Sequence, residues 1–213
     1  MTEPPPRRPR YTRERWLETS IEVLARDGIG GVTIERLASM LGVTRGSFYH
    51  HFTDREDLLR TILDYWAQEL TVRVCDEVRS LHLDPRTSLL ALMRMIRSRK
   101  AASYDVAIRG WALRDPMAQR VVRETDEVRL EFARELFRGM GYDGLDVENR
   151  SRLFLYYEMT EPSACHGQSP ELLSELLEKR HAFLTAEAPS GVSRDVSFGR
   201  ALSRSPSRAG TAE

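Results

Sequence analysis

From Thr12 to about Ala186 the apolar residues recur at spacings of three and four, and Val and Thr nowhere cluster in alternation. A chain with that period builds amphipathic helices and has no period-2 segment from which a sheet could be paired. The fold class that follows is all-α. Its 213 residues suffice for one medium domain, or for a small domain joined to a larger one. Hydrophobic residues form 41% of the chain, enough to fill a core.

Caps and stops divide the chain into elements. A first helix is expected from about Thr12 to Asp27, with Leu17, Ile21 and Leu24 on one face and Gly28 as its stop. Thr33 is suited to cap a second helix, in which Ile34, Leu37, Ala38 and Leu41 face inward and which Gly42 ends. Thr44 caps a very short third helix, Arg45 to His51. Thr53 with Glu56 three residues on reads as a capping box. It opens a long fourth helix carrying Leu58, Leu59, Ile62, Leu63, Trp66 and Leu70. Pro85 opens a helix with Leu89, Leu92, Met93 and Ile96, and another spans roughly Ser103 to Leu113. Asp115 before Pro116 starts a long helix that ends at Met140 and Gly141. One more covers about Asp146 to Met159, and Ser169 before Pro170 opens the last, to about Ala186. The sum is nine helices, three in a compact head and six in a larger body. The expected organisation is a flexible basic arm at 1–10, a helix-turn-helix domain at 11–53, a ligand-binding and dimerisation domain at 54–188, and a disordered tail at 189–213.

Charge and cysteine content narrow the function. Lys+Arg and Asp+Glu both number 32, so the chain is not a uniformly basic protein that coats nucleic acid. Residues 1–60 carry ten arginines against nine acids, so the balance does not hide a basic head cancelled by an acidic body. Positive potential is confined to the arm, with Arg7, Arg8 and Arg10, and to single placed residues. Cys75 and Cys165 are too far apart for a metal knuckle or a redox pair, and a reduced, cytoplasmic setting is the simpler reading. No apolar run approaches the ~18 residues that cross a bilayer, and residues 1–10 lack the apolar stretch of a secretory signal.

The segment from Thr33 to Phe52 carries the chemistry. Ala38 is small enough to let two helices approach, Gly42 permits the backbone angle of a tight turn, and Val43 anchors it. The second helix of such a unit lies in the DNA major groove with its first residues at the base edges. Here those residues are Thr44, Arg45, Gly46 and Ser47. Arg45 has the fork that pairs bidentately with guanine, and Ser47 suits several bases. Gly46 lets the backbone come close. Tyr49, His50 and His51 form a polar-aromatic cluster fit for phosphate oxygens.

At these residues the chain resembles the TetR family of transcriptional regulators. The run from Thr44 to Phe52 looks like the family's recognition helix. Thr33, Ile34, Leu37, Ala38, Leu41, Gly42 and Val43 match the helix before it, and Asp54, Arg55, Glu56, Leu58 and Leu59 match the start of the fourth helix. The specific match covers about residues 12–60. The resemblance implies an all-helical homodimer with one DNA-binding head per subunit and a regulatory body whose last two helices pair across the dimer. By position it implies DNA contacts from Thr33, Arg45, Ser47, Tyr49, His50 and Arg55, with Phe48 and Phe52 in the core of the head. The segment Thr160 to Gln168, with Pro162, Cys165 and His166, departs from the pattern where the last two helices join.

Ligand-binding residues are read from the large side chains of the body. Trp66, Tyr104, Trp111, Phe132, Phe154 and Tyr157, with Met93, Met95 and Met159, either fill the core or line a cavity between helices. The charged stretch Arg120 to Arg138 is expected as a solvated face held by i,i+4 pairs. Tyr156 to Met159 belong to core or to a dimer seam.

The function expected is a sequence-specific DNA-binding regulator, most often a repressor in such a family. It would be released from a palindromic operator on double-stranded DNA by a small-molecule effector, with no cofactor and no membrane partner. The competing reading is a helical-bundle metalloenzyme built on Glu178 and His181, which have the Glu-x-x-His spacing of di-iron bundles. No second such pair accompanies it. A helical scaffold without DNA binding is the third. The chain has no nucleophile elbow, phosphate loop or Gly-rich dinucleotide turn.

Overall fold

The computed structural model of the chain describes residues 12–98, 101–164 and 168–187. The arm, the tail and the pair Cys165 and His166 lie outside these residues. Among the described residues the elements are helical throughout: α1 (Arg13–Asp27), α2 (Ile34–Leu41), α3 (Arg45–Phe48), α4 (Arg55–Ala67), α5 (Arg73–Ser80), α6 (Pro85–Ser98), α7 (Ala101–Ala112), α8 (Pro116–Gly139), α9 (Gly144–Ala164) and α10 (Pro170–Leu184). A 3₁₀ turn, Ile29–Gly31, joins α1 to α2, and a π-helical stretch, Gln68–Val72, joins α4 to α5. No described helix is long and apolar enough to cross a membrane.

Most boundaries form for the capping reasons read from the sequence. The Thr12, Thr33 and Ser169 hydroxyls accept from the backbone N–H three residues on, and Asp115 accepts from Met117 and Ala118. Four details differ. The cap of α4 is Asp54, not Thr53. Asp54 accepts from the Asp57 N–H at 2.8 Å, and the Asp57 carboxylate reaches back to the Thr53 N–H at 2.9 Å. Two short carboxylates thus do the work expected of Thr53 and Glu56. Thr44 precedes α3 without a side-chain cap bond, and α3 closes at Phe48 rather than His51. The long fourth helix expected to carry Leu70 closes at Ala67, and the π-stretch leads into α5, a helix additional to the nine expected. Finally, α9 continues past Met159 through Pro162 to Ala164.

Two apolar cores result. The first contains Trp16, Leu17, Ile21 and Leu24 of α1, Leu37 and Leu41 of α2, Phe48 and Phe52, and Leu58, Ile62 and Trp66 of α4. It runs on into Ile108 and Trp111 of α7 and Ala118 and Val122 of α8. Head and body therefore share one continuous core across the boundary expected at 53/54. The second contains Val74 and Val78 of α5, Leu89 and Met93 of α6, Phe132 and Phe137 of α8, Phe154 of α9, and Leu177 and Leu184 of α10. The stretch Arg120 to Arg138 is not wholly a solvated face. Arg129 and Arg134 are mostly covered, and Arg134 gathers Glu127, Glu131 and Glu148 around its guanidinium.

Candidate nucleic-acid interface and body cavity

The turn between α2 and α3 is built on one backbone angle. Gly42 sits in the left-handed region, at φ 66° and ψ 28°. That angle lets the Val43 N–H reach back to the Ala38 carbonyl at 3.0 Å and the Gly42 N–H to that of Ser39 at 3.1 Å, closing the C-terminus of α2. Ala38 is buried beneath. The chain then enters α3 at a fixed angle.

Phe48 holds α3 down. It is fully buried, edge-on to Trp16 at 5.4 Å between centroids and stacked with Phe52 at 5.2 Å. Arg13 lies over the Phe52 ring at 5.0 Å. Trp16 was not part of the stripe read for α1. It belongs to a second row, Trp16, Ser20 and Val23, at the same helical spacing and equally buried. This row starts one position before Leu17 and shows the same spacing in the sequence.

With one side of α3 committed to the core, the other faces out. Thr44, Arg45, Gly46, Tyr49 and His50 are exposed, and Ser47 is partly covered. The Tyr49 ring stands edge-on to Phe48 at 5.3 Å, which fixes its direction while the side chain remains exposed. Arg45 Nη2 is 3.0 Å from Glu35 Oε1, with the two side chains 61% and 59% exposed. A pair that exposed is worth at most about 1 kcal/mol, so it orients Arg45 without locking it. The pair also brings the first turn of α2, which Thr33 caps, beside that of α3. A Cβ added at Gly46 would meet only Thr44 Oγ1, at 3.7 Å. The space over α3 is open to a large partner.

Arg55 takes a different place from the rest. Its Nε donates to the Val32 carbonyl at 2.7 Å and its Nη2 to the Ile29 carbonyl at 2.9 Å. It clamps the start of α4 to the turn before α2, so its guanidinium serves the fold of the head. Among the described residues no cluster of three or more His, Cys, Asp or Glu has the arrangement of a metal site. Glu178 is paired with Arg94 at 2.7 Å, and a His181 ring nitrogen lies 2.9 Å from the Arg86 carbonyl. Both side chains dock α10 on α6 instead of converging on a common point.

The body holds a narrow, partly open cavity of about 50 Å³ where the π-stretch and α5 meet α6, α8 and α9. Its apolar wall includes Leu92, Ile96, Phe132, Phe154 and Met159. Thr71, Cys75, Asp105, Arg129 and Glu158 supply the polar atoms. Of the nine side chains expected to fill the core or line a cavity, Phe132, Phe154 and Met159 line it, and Met95 packs against the second core. Trp66, Met93 and Trp111 fill the cores, Tyr104 packs against the first core, and Tyr157 lies under the Arg180 guanidinium. Burial pushes the Cys75 thiol up to about 11, so it faces the cavity as a protonated thiol. Trp66 Nε1 donates to Asp105 at 2.5 Å, and Arg129 bonds both Asp105 and Thr71. One buried polar network thus ties the last turn of α4 and the π-stretch to α7 and α8.

Residues 17–62 match the family model of bacterial regulatory proteins, tetR family. An HTH-type transcriptional regulator of Bacillus subtilis (strain 168), YerO, is 39% identical over 54 residues, covering 25% of this chain and 19% of that one. The transcriptional repressor KstR2 of Rhodococcus jostii (strain RHA1) is 30% identical over 129 residues, covering 60% of this chain and 62% of that one. These matches span between a fifth and about three fifths of the two relatives. Among solved structures, AibR in complex with isovaleryl coenzyme A and operator DNA is similar at a TM-score of 0.64 and 18% identity, covering 81% of this chain and 97% of that one. The segment that holds the glycine-capped turn and the exposed short helix is thus similar to the tetR family of bacterial regulatory proteins, and the all-helical fold is similar to that of the solved regulator.

Proposed function

We propose that the chain is a sequence-specific DNA-binding regulator, working as a repressor, whose helical body binds a small molecule. One observation carries the reading: α3 is fixed by a fully buried Phe48 while Arg45, Gly46, Tyr49 and His50 stand exposed on its outer side. Arg45 reads a guanine, Tyr49 and His50 take phosphate oxygens, and Thr33, Thr44 and Ser47 complete the contacts. Arg55 supports these residues from behind. The regulator acts as a homodimer through α9 and α10, on which Leu153, Tyr156, Leu172 and Phe183 are exposed apolar residues. Two heads then meet half-sites of a palindrome ~34–36 Å apart.

Regulation follows from the course of α4. Its side chains are part of the first core, and its continuation supplies Leu70, Thr71, Val74 and Cys75 to the cavity wall. A ligand that prefers a wider cavity favours a different tilt of that rod and a different spacing of the heads. The shift is set by the ratio of its affinities for the two states. The structure of AibR with isovaleryl coenzyme A and operator DNA supports both halves of the reading. Selection of DNA from a random pool, followed by footprinting, is the test. A protected palindrome is expected, and binding equal to that of random DNA would refute the proposal.

A further inference from the structure

The charges around the body cavity specify what it admits. A guanidinium has five N–H donors. Arg129 Nε bonds Thr71 Oγ1 at 3.0 Å, and Nη2 bonds Thr71 Oγ1 at 2.8 Å and Asp105 Oδ1 at 3.1 Å. Nη1 bonds Asp105 Oδ2 at 2.6 Å. Among the described residues four donors are used, and one N–H on Nη1 remains. Asp105 receives Trp66 as well, so its carboxylate is occupied. The other carboxylate on the wall, Glu158, lies 3.0 Å from Arg180, with those side chains only 7% and 9% exposed. Each buried carboxylate therefore already has its own guanidinium.

A ligand carboxylate brought here would add a negative charge beside Asp105 and Glu158, with both cations already paired. A ligand ammonium would meet two paired carboxylates and the positive face of Arg129. Either would give up its hydration without an uncompensated partner, which is unfavourable in a mostly apolar site. An uncharged acceptor gives up little and gains the remaining Nη1 donor, while Leu92, Ile96, Phe132, Phe154 and Met159 cover its hydrocarbon. The volume of about 50 Å³ has room for only a few waters, so the occupant is compact or parts the wall at Met159.

We infer that the cavity binds a compact, uncharged, largely apolar molecule with a single hydrogen-bond acceptor of the ketone or ester class, received by Arg129. The inference rests on the ligand-binding half of the proposed function and identifies its effector class. Arg129 is also the residue bonded to Thr71 in the π-stretch, so the acceptor engages the group that holds the rod of α4 and α5.

The experiment is equilibrium binding of three six-carbon probes, 2-hexanone, hexanoate and hexylammonium, to the full free protein at neutral pH. The ketone is expected to bind at least about tenfold more tightly than either ion. Met159→Trp, which fills the slot from its partly exposed rim, should abolish ketone binding while leaving the melting temperature in place. Arg129→Lys, which keeps the charge beside Asp105 but lacks the fork, should erase the preference for the ketone. Hexanoate or hexylammonium binding as tightly as the ketone would overturn the inference. So would ketone binding that survives Met159→Trp, or no ketone binding up to its solubility. No DNA enters this assay, so its failure is separate from a failure of the DNA-binding reading.

Discussion

The same substitution at two glycines should have opposite consequences. At Gly42 a Cβ meets nothing within 4 Å, so the cost of Gly42→Ala is backbone conformation alone. A non-glycine residue in the left-handed region costs about 1–2 kcal/mol. The alanine also restricts the unfolded chain, which returns roughly 0.4–1 kcal/mol. The net loss is of order 1 kcal/mol, or ~2–4 °C in melting temperature for a chain of this size. Gly46 lies inside α3 and has no positive φ, and its added Cβ makes only an ordinary contact with Thr44. Gly46→Ala should therefore gain about 0.5–1 kcal/mol from helix propensity and leave melting unchanged or raised. Urea midpoints followed by circular dichroism separate the two variants if heating is irreversible. On the proposed reading of α3, DNA binding should respond in the reverse order, because a methyl at 46 would stand between the backbone and the base edges. Gly42→Ala melting with the parent, or Gly46→Ala falling as far as Gly42→Ala, would refute this account of the turn.

Three further outcomes are expected. Arg55→Ala should destabilise the head by about 1.5–3 kcal/mol, through loss of charge-assisted bonds to the Val32 and Ile29 carbonyls. It should leave the salt dependence of DNA binding unchanged, whereas normal melting with a salt slope reduced by about 1 would put Arg55 on phosphate. Cys75, its thiol pushed up to about 11 by burial, should resist iodoacetamide near neutral pH until the protein unfolds; peptide mass mapping that finds it labelled in the native state would contradict its placement. Glu148 is held down at about 2, first by Arg134 and then by Arg152. Its unfolded value is higher, about 4.3, so its contribution is full above that pH and is lost as pH falls toward 2. Glu148→Gln should flatten the acid limb of the stability curve between those values and have less effect in high salt, and an unchanged limb would count against the pairing.

The head was legible in the sequence because its signals are local. Gly42, Ala38, the cap at Thr33 and the aromatic spacing of Phe48 and Phe52 each constrain a few consecutive residues, and all agree. The cap of α4 moved by one residue because aspartate and threonine compete for that role and side-chain reach decides between them. The π-stretch Gln68–Val72 carries no glycine or proline, so nothing in the sequence announces it. The cavity was the least legible part. Large side chains such as Trp66, Met93 and Trp111 fill space and therefore do not border it. The residues that do border it include Asp105 and Arg129, whose types are the same as those of a solvated helix face. Only the pairing of α7 with α8 turns them inward.

The central claim is that the outer side of α3 reads DNA sequence, and the most direct measurement of it is a footprint titration. The intact chain and its Arg45→Ala variant would be compared on the selected palindrome and on a version with the contacted guanine replaced. The account predicts that the intact chain protects the palindrome and loses about 1–3 kcal/mol on the altered site, while the variant binds both sites equally. Equal binding of both sites by the intact chain, or a variant that still discriminates between them, would contradict it.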